Sequence, residues 1–308
     1  MNMRALITGI EGFVGPHLQN LLEQHKIEVF GTYLLDPAVE SPNYFHMDVL
    51  NSAEIQSILS QIRPDAIFHL AGFSSVSKSF ENPSLCKKVN AEGTQNLLDV
   101  LVKQNLSPKI LIVNSGEVYG IPQFLPITES HPVSARSPYG ESRIMQEEIC
   151  QKFIEEYNFQ IMITRSFNHT GPGQIDSFAI PSFAHQIVAI ERDVQQKLLV
   201  GNLQAIRDFS DVRDVVRAYH TLLLQGKSGE KYNVCTGKGY TMQYLLDTLV
   251  SYADVDVKIE VDSSRLRPSD IPELIGDNSK IKTTTGWSPE IPLEQTLKNV
   301  LEYWRGKN

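Results

Sequence analysis

A tyrosine and an arginine four residues apart are the side chains of this chain best suited to move a proton. Tyr139 and Arg143 fall on a predicted helix over 139–157, where residues i and i+4 project from the same face. A phenol holds its proton at neutral pH unless nearby positive charge stabilises the phenolate, and an arginine keeps its charge permanently. Ser115 follows a predicted strand over 110–114, so its hydroxyl lies at a strand's carboxyl end. Together these groups could hold a substrate oxygen and exchange a proton with it.

A glycine-rich turn near the amino terminus has the pattern of a nucleotide site. It lies between a predicted strand over 4–8 and a predicted helix over 13–23. The backbone of such a turn can approach a pyrophosphate closely, and the helix amino terminus supplies free N–H groups and positive potential. The turn therefore predicts dinucleotide binding, with expected contacts from Gly9, Gly12, Phe13, Val14 and Gly15.

Strand and helix patterns alternate through the first half of the chain. Short apolar runs predict strands at 4–8, 28–32, 66–71, 110–114 and 160–165. Helical patterns are predicted at 13–23, 51–62, 84–104 and 139–157, with Asn51 or Ser52 as the cap of the second. This alternation predicts an α/β fold, a doubly wound parallel sheet of the Rossmann type with helices on both faces.

The second half of the chain does not continue the regular alternation of strands and helices. It has predicted helices at 180–192, 214–224, 242–252 and 293–304, short strands at 231–234 and 257–261, and polar linkers at 203–207 and 263–274. We predict a dinucleotide-binding domain over 1–170, to which part of 201–235 returns. A smaller α/β lobe over 171–308 would cover the carboxyl ends of the strands, where doubly wound folds bind ligands.

Composition narrows the function classes. The chain has 308 residues, 41% of them hydrophobic, and a net charge of −8, which would not attract nucleic acid or an anionic membrane. Its three cysteines have neither metal-ligand nor disulfide spacing, so we expect no metal site. No apolar run approaches the roughly 20 residues that span a bilayer, and no signal peptide precedes the first strand. We expect a cytoplasmic protein without a membrane partner.

The glycine turn and the tyrosine–cation pair together resemble the extended short-chain dehydrogenase/reductase superfamily. That resemblance implies NADP or NAD as cofactor, with Ser115 orienting the substrate oxygen and Tyr139 transferring the proton. The family carries Tyr-x-x-x-Lys, whereas this chain has arginine at the cation position. Arg143 would bind the nicotinamide ribose and supply charge but could not easily join a proton relay. We expect an active enzyme, slower than one with lysine.

The resemblance also assigns further cofactor contacts, namely Asp48, Val49, Leu70 and Ala71. Asp48 could instead only cap the approach to the next helix. An acidic side chain at the end of the second strand would favour NAD, and an arginine would favour NADP. Neither stands at the expected place, and Asp36 comes a few residues late. This absence slightly favours NADP.

The run Ser115-Gly116-Glu117 separates two kinds of chemistry. Related 4,6-dehydratases have an acidic or hydroxyl residue at the middle position and a glutamate after it, and the two serve as acid and base in eliminating water. Gly116 has no proton to give. Glu117 is a candidate catalytic residue, but it could instead be a relic of dehydratase chemistry, a substrate contact or a structural hydrogen-bond acceptor.

The segments at 68–76, 90–98 and 207–214, and the loop at 165–174, resemble the substrate side of nucleotide-sugar enzymes. The segment at 265–277 resembles the GDP-mannose branch. The contacts implied for a GDP-sugar are Ser74, Ser75, Ser115, Asn168, Arg207 and Arg267. A diphosphate on an acidic protein needs such arginine donors. Alternatively, Arg207 could pair with Asp208 or Asp211, and Arg267 with Asp270, as surface ion pairs.

The resemblance favours NAD(P)H-dependent reduction of the C4 ketone of GDP-4-keto-6-deoxy-D-mannose to GDP-D-rhamnose. One alternative is a GDP-mannose 4,6-dehydratase or a 4-epimerase that retains its cofactor. Another is a nucleotide-sugar or NAD(P) binding protein with little catalysis, suggested by Arg143. The predicted helices over 84–104 and 139–157 resemble the four-helix interface of the family's homodimers.

Overall fold

A seven-stranded parallel sheet forms the centre of the protein. The computed structural model describes residues 3–35, 41–266 and 271–307. The strands of this sheet are β1 (Arg4–Thr8), β2 (Glu28–Tyr33), β3 (Tyr44–His46), β4 (Ala66–His69), β5 (Lys109–Ser115), β6 (Ile161–Ser166) and, late in the chain, Lys231–Val234. Their spatial order is β3-β2-β1-β4-β5-β6 followed by the Lys231–Val234 strand. The predicted α/β doubly wound sheet is confirmed.

Helices cover both faces of the sheet. In the first half they are α1 (Val14–Gln24), α2 (Ser52–Ile62), α3 (Val76–Glu81), α4 (Pro83–Lys87), α5 (Gly93–Lys103) and α6 (Pro138–Tyr157). Alternate residues of β1 serve opposite cores: Ala5 and Ile7 join the cluster containing α1, while Leu6 joins the cluster containing α2, α5 and α6. Since every strand in the middle of this sheet is buried on both sides, its sequence is a continuous apolar run rather than an alternating one.

The second half builds two smaller sheets. Its strands are β7 (Asn168–Thr170), β8 (Leu198–Val200), β9 (Ile206–Asp211), β10 (Lys231–Val234), β11 (Gly239–Thr241), β12 (Ile259–Val261) and β13 (Glu273–Leu274). Its helices are α7 (Ala179–Glu191), α8 (Val212–Gln225), α9 (Met242–Val250), α10 (Ser279–Thr285) and α11 (Leu293–Arg305). Strand β9 pairs with β7, β11 and β13, while β12 pairs with β8. A third core packs α7, α9 and α11 together.

Strand β9 corrects the sequence analysis. The predicted linker over 203–207 contains the start of β9, at Ile206, and the predicted linker over 263–274 contains the whole of β13, Glu273–Leu274. The residues Arg-Asp-Phe-Ser-Asp after Ile206 are mostly polar, yet these side chains are buried. The two aspartates are stabilised there by partners: Asp208 accepts four hydrogen bonds, and Asp211 pairs with Arg213.

The helix predicted over 84–104 is also more complex than expected. A π-helical segment, Lys88–Glu92, separates α4 from α5. It contains buried Asn90, whose side chain bonds to two neighbouring segments. A further difference is α3, which the sequence pattern did not predict. In α2 the cap is Asn51, which accepts from Ala53 N–H at 3.1 Å.

Within the described ranges, no helix is long and apolar enough to cross a membrane. The same ranges hold no group of three or more His, Cys, Asp or Glu side chains placed to bind a metal.

Candidate active site

The glycine turn connects β1 to α1 and is held against β2. The Ile10 N–H donates to the Thr32 carbonyl at 2.9 Å. Gly9 has φ +69°, and a Cβ there would lie 2.9 Å from the Ala71 Cα. A Cβ on Gly15 would lie 2.1 Å from the Ile10 carbonyl oxygen, so only glycine lets α1 start this close. The turn, Leu70 and Ala71 therefore meet at the carboxyl end of β1 and β4.

The turn also fits a dinucleotide pyrophosphate. Helix α1 has 11 residues, and its first turn contains no acidic side chain that would repel an anion. The glycines leave the backbone open to close approach. Asp48 and Val49 follow β3, where Asp48 Oδ1 accepts from the Leu50 N–H at 2.9 Å and Val49 is buried. The residues of this chain fit an NAD(P) cofactor at the position that the sequence predicted.

Ser115 ends β5 and stands beside a short 3-10 segment, Gly116–Tyr119. Its hydroxyl accepts from the Glu117 N–H at 3.2 Å. Gly116 is buried, and a Cβ there would lie 3.3 Å from two carbons of the Phe167 ring. The ring therefore packs closely against this glycine and would have to shift by a few tenths of an ångström to admit a Cβ.

Tyr139 and Arg143 are both buried on α6, with 8% and 5% of their surfaces exposed. The guanidinium carbon of Arg143 lies 5.2 Å from the centroid of the Tyr139 ring. The distance is within the range of a cation–π contact. The pair predicted from four-residue spacing is therefore brought together, and the arginine is not a surface residue.

The guanidinium of Arg143 is tightly held. Its Nη1 donates to the Val113 carbonyl at 3.0 Å and to Gln146 Oε1 at 2.9 Å, while Nη2 is 3.5 Å from the Phe73 carbonyl. A Cβ on Gly72 would lie 3.0 Å from Nη2, so this glycine makes room for the fork. Among the described residues, the buried Nε has no hydrogen-bond partner.

A buried hydrogen-bond chain continues from Gln146. Its Nε2 donates to Thr94 Oγ1 at 2.7 Å, and that hydroxyl donates to the Asn90 carbonyl at 2.8 Å. His69 Nε2 lies 3.1 Å from the same hydroxyl oxygen and therefore carries the proton, while His69 Nδ1 lies 2.8 Å from Thr8 Oγ1. Burial, and then the charge of Arg143, lowers the pKa of His69 to about 3, so the imidazole is neutral.

Two asparagines that the sequence analysis gave no role position these segments. Asn114 donates to the Arg143 carbonyl at 2.8 Å and accepts from the Ser115 N–H at 2.6 Å, which joins β5 to α6. Asn90 accepts from the Phe73 N–H at 2.7 Å and donates to the Ser142 hydroxyl at 2.8 Å. Asn114 is a polar residue at the end of an apolar, buried run, which is a signal that the sequence offers, whereas the residues around Asn90 are mixed and give no such signal.

The predicted substrate loop after β6 lies against the glycine turn. The Phe13 ring stacks on His169 with centroids 6.1 Å apart, and His17 Nε2 lies 2.9 Å from the Pro172 carbonyl. Asn168 begins β7 and is half-buried. The segment that follows β6 therefore contacts the glycine turn, although the two are far apart in the chain.

The other predicted substrate residues differ in their exposure and in their contacts. Ser74 is exposed, and Ser75 caps α3 by accepting from the Lys78 N–H at 3.2 Å. Arg207 lies in β9 with 9% of its surface exposed, and its Nη1 donates to the Ile206 carbonyl at 2.9 Å. Arg267 lies outside the described residues.

The carboxylates suggested as surface partners of Arg207 have other contacts. Asp211 forms a two-point ion pair with Arg213, at 2.8 and 2.7 Å. Asp208 accepts from Thr236 and from two backbone N–H groups, and its burial raises its pKa. Both carboxylates are buried, so neither belongs to a surface ion pair.

The sheet, the glycine turn and the serine, tyrosine and arginine of α6 and β5 define a short-chain dehydrogenase/reductase of the extended type. A family model described as GDP-mannose 4,6 dehydratase matches residues 6–300. The chain belongs to this family.

Two curated relatives match the whole chain. A GDP-6-deoxy-D-mannose reductase of Pseudomonas aeruginosa is 35% identical over 310 residues, covering 100% of this chain and 99% of the relative. A GDP-6-deoxy-D-talose 4-dehydrogenase of Aggregatibacter actinomycetemcomitans is 31% identical, covering 97% and 98%. Among solved structures, RMD from Pseudomonas aeruginosa, complexed with NADPH, is similar with a TM-score of 0.86 at 34% identity, covering 99% of each chain.

Proposed function

We propose that this chain is an NAD(P)H-dependent oxidoreductase that reduces the C4 ketone of GDP-4-keto-6-deoxy-D-mannose to GDP-D-rhamnose. The observation that carries the proposal is Gly116. Related 4,6-dehydratases have an acidic or hydroxyl side chain at this position to supply a proton for the elimination of water, and glycine has none. The Phe167 ring packs closely against this glycine, 3.3 Å from where a Cβ would lie. The relationship to a GDP-6-deoxy-D-mannose reductase over the full length supports the same assignment.

The proposed reaction is one hydride and one proton transfer. Bound NAD(P)H supplies the hydride that the carbonyl carbon receives. Ser115 holds the carbonyl oxygen by a hydrogen bond, and Tyr139 gives its phenolic proton to that oxygen as negative charge develops. The ketone becomes a secondary alcohol, and the phenolate left on Tyr139 is stabilised by Arg143, 5.2 Å from the ring centroid.

Arg143 supports the reaction by charge and position rather than by relaying protons. Burial against two backbone carbonyls and Gln146 fixes its guanidinium beside Tyr139. A fixed cation costs no reorganisation when the phenolate forms. We therefore propose that Arg143 is a competent replacement for lysine, and Glu117 a substrate contact or structural acceptor.

We propose separate sets of binding residues for the cofactor and for the GDP-sugar. Gly9, Gly12, Phe13, Val14 and Gly15 would hold the cofactor pyrophosphate. Asp48 and Val49 would contact the adenine, and Leu70 and Ala71 would line the dinucleotide. Ser74, Ser75, Asn168, Arg207 and Arg267 would bind the GDP-sugar.

The test is a direct assay of the product. GDP-4-keto-6-deoxy-D-mannose is offered with NADH or NADPH, oxidation of the cofactor is followed at 340 nm, and the product is identified by proton NMR. An equatorial hydroxyl at C4 with stoichiometric cofactor oxidation supports GDP-D-rhamnose. Cofactor oxidation that is absent with both dinucleotides would overturn the reductase assignment.

A second candidate product is the C4 epimer, a GDP-6-deoxy-D-talose. The relationship to a GDP-6-deoxy-D-talose 4-dehydrogenase at 31% identity favours considering it. The H3–H4 coupling constant in the same NMR spectrum separates the two products. Turnover of GDP-mannose without added cofactor would instead support a 4,6-dehydratase.

We also propose a homodimer formed through α4, α5 and α6. Exposed apolar side chains on these helices include Leu85, 47% exposed, and Met145, 40% exposed. A partner's helices would cover them. Light scattering at micromolar concentration should give twice the mass of 34.6 kDa, and Met145→Lys should shift it towards the monomer. A monomeric mass for the unmodified chain would contradict this proposal.

We also propose that the chain is divided into two domains near residue 170 and that the protein is cytoplasmic. Strand β10, late in the chain, pairs with β6 of the large sheet, which is compatible with a return of part of 201–235 to the first domain. Limited proteolysis that leaves a stable fragment ending near residue 170 would argue against such a return.

A further inference from the structure

Glu11 lies inside the glycine turn, and the proposed reaction does not use its carboxylate. The Leu34 N–H donates to Glu11 Oε1 at 2.9 Å, and the Leu35 N–H is 3.5 Å from the same oxygen. The other oxygen, Oε2, is buried and has no hydrogen-bond partner among the described residues. The carboxylate therefore bridges the turn and the carboxyl end of β2, with one oxygen unused.

This location has a known meaning in doubly wound folds. The side chain at the end of the second strand lies beside the adenosine ribose, where an acid accepts from the ribose hydroxyls of NAD and an arginine pairs with the 2′-phosphate of NADP. In this chain the strand end provides Leu34 and Leu35, which are exposed and apolar. The acid missing from the strand end is supplied from the opposite side, by the turn.

The charged residues near the end of β2 also disfavour a 2′-phosphate. Residues 27–62, which run from β2 through β3 to the end of α2, contain no lysine or arginine. A 2′-phosphate carries about −1.5 to −2 charges near neutral pH. No cation from this stretch would neutralise it, and Glu11 would repel it.

We infer that Glu11 selects the cofactor, accepting hydrogen bonds from the ribose hydroxyls of NADH and opposing the 2′-phosphate of NADPH. This inference rests on the dinucleotide site of the proposed function. It reverses the slight preference for NADP expected from the sequence, which depended on finding no carboxylate opposite a 2′-phosphate. The carboxylate comes from a residue that lies 23 positions before its hydrogen-bond partner.

The test measures binding, so it does not depend on the sugar substrate. Dissociation constants of NADH and NADPH are measured by protein fluorescence quenching at about 0.1 M salt. We expect NADH to bind at least about tenfold more tightly, the size of effect for one carboxylate a few ångströms from a phosphate. Glu11→Gln keeps the shape and an acceptor for Leu34 but removes the charge, so it should bring the ratio of the two constants close to 1.

The control is Glu28→Gln, at the amino end of β2, which removes an equal charge far from the turn and should leave the ratio unchanged. Circular dichroism confirms that both variants fold; should Glu11→Gln fail to fold, Glu11→Ser replaces it. Tighter binding of NADPH by the unmodified chain, or an unchanged ratio in the Glu11 variant, would overturn the inference and leave the dinucleotide site intact. Binding of neither cofactor would overturn both.

Discussion

The ion pair between Arg165 and Glu147 joins the helix that carries Tyr139 to the central sheet. Arg165 in β6 donates to both carboxylate oxygens of Glu147 in α6, at 2.8 and 2.7 Å. Both side chains are buried, with 5% and 8% of their surfaces exposed. The Arg165 guanidinium also lies 4.8 Å from the centroid of the Tyr119 ring. Loss of this pair should loosen α6 and weaken the whole fold.

Glu147→Gln tests this reasoning with little change in shape. Burial opposes the charge of Arg165, but hydrogen bonds and attraction from Glu147 outweigh it and raise the pKa of Arg165. Because an arginine keeps its charge even without a partner, the guanidinium stays charged in the variant, buried without its counter-ion. Removing one partner of a buried pair costs about 3–5 kcal/mol of unfolding free energy. Because one amide oxygen of glutamine can still accept a bond, we expect about 3 kcal/mol.

The assay is urea unfolding followed by circular dichroism, with Glu148→Gln as the matched control. Glu148 is the next residue of the same helix and is exposed, so its variant should change the free energy of unfolding by less than about 0.5 kcal/mol. Replacing both partners by methionine should recover much of the loss, since a buried pair is often exchangeable for apolar packing. A loss below about 1 kcal/mol in Glu147→Gln would refute the reasoning, because the pair would then behave like one at the surface.

Three further predictions concern the site. Tyr139→Phe should lower kcat at least about 100-fold while leaving the dissociation constant of NADH within about threefold, since the variant lacks only the proton donor; a kcat within tenfold of the unmodified enzyme would remove Tyr139 from the reaction. Arg143→Lys should not raise kcat more than about threefold and should lower the free energy of unfolding by about 1–3 kcal/mol, because Gln146 Oε1 loses its buried donor; a sharp rise in kcat would instead show that the arginine is a handicap. The fold lowers the pKa of His69 to about 3, so between about pH 6.5 and pH 3 this residue binds fewer protons in the folded protein than in the unfolded chain. In that window His69 should therefore lower the free energy of unfolding of the protein by about 1.4 kcal/mol for each pH unit of acidification. His69→Asn should remove this contribution to the pH dependence of the free energy of unfolding. If the urea midpoints of the two proteins had the same pH dependence, the prediction would be wrong.

Much of the site could be predicted because its signals are local. The spacing of Tyr139 and Arg143 follows from helix geometry, and the glycine turn is specified by residues adjacent in the chain. Continuous apolar runs identified the buried strands for the same reason. Family membership and the α/β sheet, both confirmed, depended on these short-range patterns.

Strand β9 shows where local patterns fail. Its residues are mostly polar, and its two aspartates are buried because segments far along the chain provide their hydrogen-bond partners. Asp208, for example, accepts from Thr236 and from Gly276. A buried polar group is affordable only when its partners are in place, and no window of sequence around Asp208 contains those partners.

The sequence by itself determined the fold class, the glycine turn between β1 and α1, and the placement of Tyr139 and Arg143 on one face of a helix. The tertiary structure decided how those residues are held: Arg143 is buried against Gln146, and Glu11 reaches the end of β2. The physical reason is the separation along the chain of the residues that interact. Helix and turn geometry are set by neighbouring residues, whereas burial, hydrogen-bond partners and electrostatic surroundings are set by segments that meet only when the chain has folded.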